Sequence, residues 1–233
     1  MNNIEYFFLL EINKFEIIIL DNISKKIIYK KKVLLRNNNY DIKGIISEIN
    51  NILKELIIDI ENKINYPVSK INLIIESPKT FKINASIKKN FDNSKVSKSQ
   101  IEYLIQDLKQ QISKNIGQTK INHIIIKELS LDNRKIDYLP INENCNDLMI
   151  SIEFICLPND LVILLENLFR NHQIEFSSIL CSQYTKSFVN SVFDNIFVSA
   201  LALKNGYNVY EVSISPKKLP KMGFFEKLFN IFS

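Results

Sequence analysis

Val96-Ser97-Lys98-Ser99-Gln100-Ile101 is the stretch on which the organisation of this sequence turns. The Ser97 hydroxyl can accept a backbone N–H of a first helical turn while the Gln100 side chain reaches back to the Ser97 amide, and Val96 precedes them as the apolar staple residue. A helix therefore begins at Lys98. It carries Ile101, Leu104, Ile105, Leu108 and Ile112 on one face and stops near Gly117.

Upstream of this helix, residues 82–87 alternate as a short strand, and the polar stretch 88–95 separates that strand from the helix, which places a subdomain boundary there. Further back, three β-rich runs at 6–12, 15–21 and 27–34 read as an antiparallel meander. Asp41 opens a helix with Ile42, Ile45, Ile46, Ile49, Ile52, Leu53, Leu56 and Ile57 at three-and-four spacing, and 71–76 follows as a buried strand. Downstream, strands are expected at 122–129, 135–139 and 147–157. Pro158-Asn159-Asp160 opens a helix bearing Leu161, Leu164, Leu165, Leu168 and Phe169, and a strand at 174–180 closes the unit. A short helix at 197–204 ends at Asn205-Gly206, and 207–215 is extended or loosely structured.

With 233 residues, 46% hydrophobic and 24% charged, the chain can bury the core of one or two domains. The formal charge of +5 is spread among acids, so the pattern is not that of a nucleic-acid-binding surface. Lys25, Lys26, Lys30, Lys31 and Lys32 form the one dense cluster and read as a solvated hairpin edge guarded by lysines. Cys145, Cys156 and Cys181 have neither zinc nor disulfide spacing, as suits a reducing cytosol. Glu11 interrupts the first apolar run too early for a signal peptide or a spanning helix.

Three strands, a helix and a strand is the order that opens an actin-like ATPase fold. Val96 to Ile101 resembles the entry to the inserted subdomain of the bacterial cell-division protein FtsA, and later segments keep that family's order. Ile121-Asn122-His123-Ile124-Ile125 is similar to its next strand, Leu131-Asp132 through Ile141 to its hairpin, and Asp194 through Leu203 to its late helix. The implied fold class is α+β: a partial actin-like, FtsA-type first domain with an inserted strand-helix-strand-strand subdomain and a C-terminal amphipathic helix. The expected segments are 1–84 for the first part of the actin-like domain and 85–180 for the inserted subdomain and return. The late helix and extended segment take 181–214, a linker 215–220, and the amphipathic helix 221–233.

The departures from that family are as informative. It holds ATP with glycine-rich phosphate loops, whereas the position between the first two strands here reads Glu11-Ile12-Asn13-Lys14, with no glycine and a carboxylate that would repel a triphosphate. The span that would form a second domain is missing. The resemblance thus implies no nucleotide cofactor, and it leaves contact with the FtsZ filament in doubt because that contact lies in the missing domain. Other division proteins and self-association are the implied partners, and the inserted hairpin residues Arg134 and Lys135 are candidate partner contacts.

In 221–233 a helix starting near Gly223 would gather Phe224, Phe225, Leu228, Phe229 and Phe232 on one face. Lys217, Lys218 and Lys221 precede it, favourable beside anionic lipid heads. Burying each large side chain is worth roughly 1.5–3 kcal/mol against about 1–2 kcal/mol per ordered residue, so one tail would bind an anionic membrane surface reversibly and several on one assembly more firmly. Docking of the tail on its own domain or in a partner groove is the other reading. The expected place is the cytoplasmic side of the bacterial inner membrane, at the division site.

Catalytic motifs are missing from the sequence: no Walker loop, no nucleophile elbow, no paired metal-ligand histidines, and His123 and His172 without a sequence-adjacent nucleophile, so no enzyme activity, metal or cofactor is expected. Two functions of different class follow. One is a division scaffold of reduced FtsA type; the other is a cytoplasmic adaptor of the related PilM type, which binds a partner's peptide in a pilus or secretion assembly.

Overall fold

Phe7, Phe8, Leu9 and Leu10 form an unbroken apolar run, which a strand sustains only when both of its faces are covered. The computed structural model, which describes residues 4–36, 41–189 and 191–212, places this run in β1 (Ile4–Glu11), fully buried in the middle of a five-stranded sheet. β2 (Lys14–Asp21) returns antiparallel through a two-residue turn, and β3 (Ile27–Leu34) forms the outer edge. The lysines of β3 face solvent there, with Lys31 2.5 Å from Asp59 and Lys30 2.8 Å from Glu16.

Asp41 caps α1 (Ile42–Ile64) by accepting from the amides of Lys43 and Gly44. The helix carries the chain back to β4 (Lys70–Ile75), parallel to β1, and β9 (Glu175–Cys181) lies parallel beyond it. The strand order is β3-β2-β1-β4-β9. Successive side chains of β1 point to opposite faces. Phe8 meets Phe169 of α3 (Asn159–Arg170) edge-on at 5.1 Å, whereas Phe7 meets Phe197 of α5 (Ile196–Lys204) at 6.3 Å on the other face. Helices thus cover both faces, which accounts for strands that are apolar throughout.

Between β4 and α3 the chain builds a second sheet, ordered β5-β8-β6-β7. It comprises β5 (Phe81–Lys95), β6 (Thr119–Leu131), β7 (Arg134–Ile136) and β8 (Asn144–Pro158), with α2 (Lys98–Asn115) on one face. The capping box is formed as expected: Gln100 N–H donates to Ser97 Oγ and Ser97 N–H to Gln100 Oε1. Ile101, Leu104, Ile105 and Leu108 pack against Ile124, Ile126, Ile150, Ile152 and Phe154. Ile125, Ile155 and Leu157 belong instead to the core of the first sheet, so the two sheets meet where β6 begins and β8 ends.

Several boundaries differ from the sequence expectation. The polar stretch 88–95 is not a separator but the second half of β5, paired with β8 to Lys95 across an irregularity where Asp92 and Asn93 take positive φ. The stretch is polar at every position but Phe91, which alone turns into the core, so nothing in its own sequence distinguishes it from a loop. The second sheet begins at Phe81, before the short strand expected at 82, and β7 is only three residues long. A five-residue helix, α4 (Ser182–Lys186), was not foreseen, because one turn of helix has no periodicity to detect.

Candidate functional site

At the turn between β1 and β2 an ion-pair network gathers. The Lys186 ammonium from α4 lies 2.8 Å from a Glu11 oxygen and 2.8 Å from a Glu76 oxygen. Lys14 also pairs with Glu11 and lies 3.6 Å from Glu16, and Lys30 reaches Glu16 from β3. Burial works to raise the Glu11 carboxyl, but hydrogen bonds from Lys14 and Lys186 outweigh it and hold the group below its usual range. The same carboxylates, acting against the desolvation of Lys186, raise its ammonium above the ordinary lysine value. The carboxylates and ammonium groups answer one another, and the network ties β1, β2 and β3 to α4.

A second constellation lies at the seam between the sheets. β9 is an edge strand of the first sheet, and at its C-terminal end two backbone groups, of Ile179 and Cys181, are met by side chains of β6 instead of another strand. Asn122 Nδ2 donates to the Ile179 carbonyl at 2.9 Å, and the Cys181 amide donates to His123 Nε2 at 2.9 Å. Because Nε2 accepts, the proton of the neutral imidazole sits on Nδ1, where it is shared with Glu211 Oε1 at 2.6 Å. The Tyr184 hydroxyl donates to Glu211 Oε2 at 2.8 Å and accepts from Asn208 Nδ2 at 2.7 Å. The His123 and Tyr184 rings meet at 4.5 Å with their planes tilted by 48°, and burial pushes the Tyr184 hydroxyl pKa upward. Each nitrogen of His123 is engaged, so this histidine fastens the seam. Its partner Glu211 is 88 residues away, beyond the reach of any local motif.

Beside this network runs an open groove made of two hollows of about 380 and 370 Å³ that share Ser177 and Lys204. The first is lined by Glu5, Tyr6, Tyr66, Ser69 and Lys70 at the starts of β1 and β4. The second is lined by Asn122, His123, Ser178, Asn208 and Glu211. Ser177 is the bulged residue of β9, without a partner on β4, and it is exposed between the hollows. Lys204 pairs with Glu5 at 2.7 Å, and Glu5 also accepts from the buried Asn72. The groove walls therefore mix charged and polar groups with apolar ones such as Ile4, Ile64, Ile179 and Leu203.

The predicted partner residues Arg134 and Lys135 sit at the hairpin joining β6 and β7, where Lys135 pairs with Glu128 at 3.0 Å; neither lines the groove. Phe224, Phe225, Leu228, Phe229 and Phe232, with Lys217, Lys218 and Lys221, lie outside the described residues. Among the described residues no helix is long and apolar enough to cross a membrane, and no cluster of three metal-ligating side chains occurs.

The sequence matches no protein-family model and no curated protein. Similar solved structures include the PilM–PilN type IV pilus biogenesis complex, at 5% identity and TM-score 0.48, covering 81% of this chain and 49% of that one. A Bacteroides thetaiotaomicron protein with an actin-like ATPase fold and unknown function aligns at 13% identity and TM-score 0.35, covering 80% and 55%. The cytoplasmic domain of EpsL, an inner membrane component of the type II secretion system of Vibrio cholerae, aligns at 6% identity and TM-score 0.37, covering 78% and 58%. The chain thus spans about half the length of the structures it matches. The chain's own architecture is α+β, with one sheet ordered β3-β2-β1-β4-β9 and the second sheet set between β4 and α3.

Proposed function

We propose that this chain is a non-catalytic adaptor that takes an extended segment of a partner protein into the groove between its two sheets. The observation that carries the reading is Ser177, a bulged, exposed edge-strand residue set between two hollows of mixed polar and apolar lining. Edge strands receive extended peptides through backbone hydrogen bonds, with flanking hollows selecting side chains. The ion pairs of Glu11, Glu76 and Lys186, standing where an actin-like fold would cradle phosphates, favour an adaptor over a nucleotide-driven machine. This is the PilM-like reading, an adaptor for a membrane-bound pilus or secretion assembly. Selection of displayed linear peptides on the intact chain tests it. Recovered peptides should bind Ser177→Arg roughly tenfold more weakly while the variant melts like the parent; peptides indifferent to that substitution, or no enrichment, would exclude the groove.

The C-terminal sequence favours a second reading: a division scaffold of reduced FtsA type, tethered to the inner membrane by Phe224, Phe225, Leu228, Phe229 and Phe232 and contacting other division proteins through the inserted subdomain. The intact chain should then float with anionic liposomes, and Phe225→Glu/Leu228→Glu should stay with the soluble fraction. Equal behaviour of the two proteins removes the tether.

A further inference from the structure

Immediately after α5, Gly206 at φ +83° turns the chain into a strap, residues 207–212, that crosses the seam. The strap lies along the edge of β6, on the stretch that β7 leaves open. The Ile126 amide donates to the Tyr210 carbonyl at 2.9 Å, the Val212 amide donates to the Ile124 carbonyl at 2.8 Å, and Glu211 faces Ile125 in an antiparallel bridge.

Little apolar burial holds this strap. Val209 is 83% exposed, and Tyr207 and Tyr210 are about half exposed. Aromatic contact is confined to Tyr207, whose ring meets Phe193 at 4.9 Å and Phe188 at 6.0 Å. Asn208, Glu211 and Val212 are its half-buried residues: Val212 packs against the second-sheet core, Asn208 donates to the Tyr184 hydroxyl, and the two oxygens of Glu211 are taken by two different elements, His123 of β6 and Tyr184 of α4. Segments with few buried contacts open locally at lower free energy than the fold as a whole. Among the strap's polar side chains, the Glu211 carboxylate is the one that joins it to both β6 and α4. Glu211 and Asn208 also form a wall of the second hollow of the groove, opposite β9.

We infer that Glu211 is the catch of a strap that gates the groove: residues 207–212 detach from β6 as a unit when the Glu211 contacts break, and the hollow beside His123 loses its wall. The gating half of this inference rests on the groove being the peptide site; the catch does not. Linkage then makes the effect reciprocal, so that a peptide gripped by the closed groove holds the strap down, and whatever acts on the chain beyond residue 212 alters the grip. The described chain ends one residue after the catch, so the sequence 213–233 is attached directly to it.

Hydrogen exchange on the full chain tests the catch without any ligand. In the parent, the amides of Ile126 and Val212 should exchange through local opening, faster than the β5–β8 ladder; exchange of those two only together with that ladder overturns the inference. Glu211→Ala should speed them about tenfold and leave the ladder unchanged, with Glu211→Gln between the two. An unaltered rate in Glu211→Ala overturns the catch. The gate is read with a peptide recovered on the parent chain and sensitive to Ser177→Arg. It should slow strap exchange and bind Glu211→Ala about tenfold more weakly, and equal affinity for both proteins overturns the gate. A selection that yields no groove peptide overturns the peptide site and the gate with it, while the exchange rates decide the catch alone.

Discussion

Phe8→Ala lowers the unfolding free energy by about 3–5 kcal/mol, the cost of a large-to-small change at a site that cannot collapse. Phe8 has no solvent exposure and sits in the central strand of the first sheet. Its ring lies 5.6 Å from Phe15 of β2 and 5.1 Å from Phe169 of α3, and Phe169 in turn meets Phe176 of β9 at 5.2 Å. Truncation opens a void between two strands and a helix that are each held by other contacts, so backbone relaxation fills little of it. For a chain of this length the melting temperature should fall by about 10 °C or more. Thermal and denaturant unfolding of the variant measure this, and a loss under about 1 kcal/mol would mean that the aromatic column does not couple the sheet to α3.

His123→Leu costs about 2–3 kcal/mol despite preserving much of the volume, because it strands polar partners instead of opening space. The Cys181 amide loses its acceptor in a buried position, and the Glu211 carboxylate loses one of its two donors. Asn122 retains the Ile179 carbonyl, so the edge of β9 is half uncovered. The loss should be accompanied by faster exchange of the Cys181 amide, while the second-sheet core around Phe154 stays protected. A variant as stable as the parent, with Cys181 still protected, would show that the seam is held by apolar contacts of Ile125, Ile155 and Leu157 alone.

The elements most legible in the sequence are those whose information is local. The Ser97 and Gln100 capping box lies within four residues, and the start of α2 follows from it. The periodicity of α1 and the continuous apolar runs of β1 and β2 announce one helix with a buried face and strands covered on both sides. The polar half of β5 has the composition of a loop, and only its pairing with β8 makes it a strand.

The candidate site was far less legible. His123 stands in the sequence as a lone histidine in an apolar strand, and nothing near it indicates Glu211, Tyr184 or Cys181. Ser177 has the appearance of any strand serine until the pairing of β4 with β9 makes it a bulge. Local chemistry along the chain by itself determined the longer helices, the apolar strands β1 and β2, and the absence of phosphate-loop glycines between them. Tertiary structure alone decided the seam, the groove and the strap, because hydrogen bonds between residues 88 positions apart at the seam and 199 apart in the groove depend on how distant segments dock, and docking leaves no periodic trace in sequence.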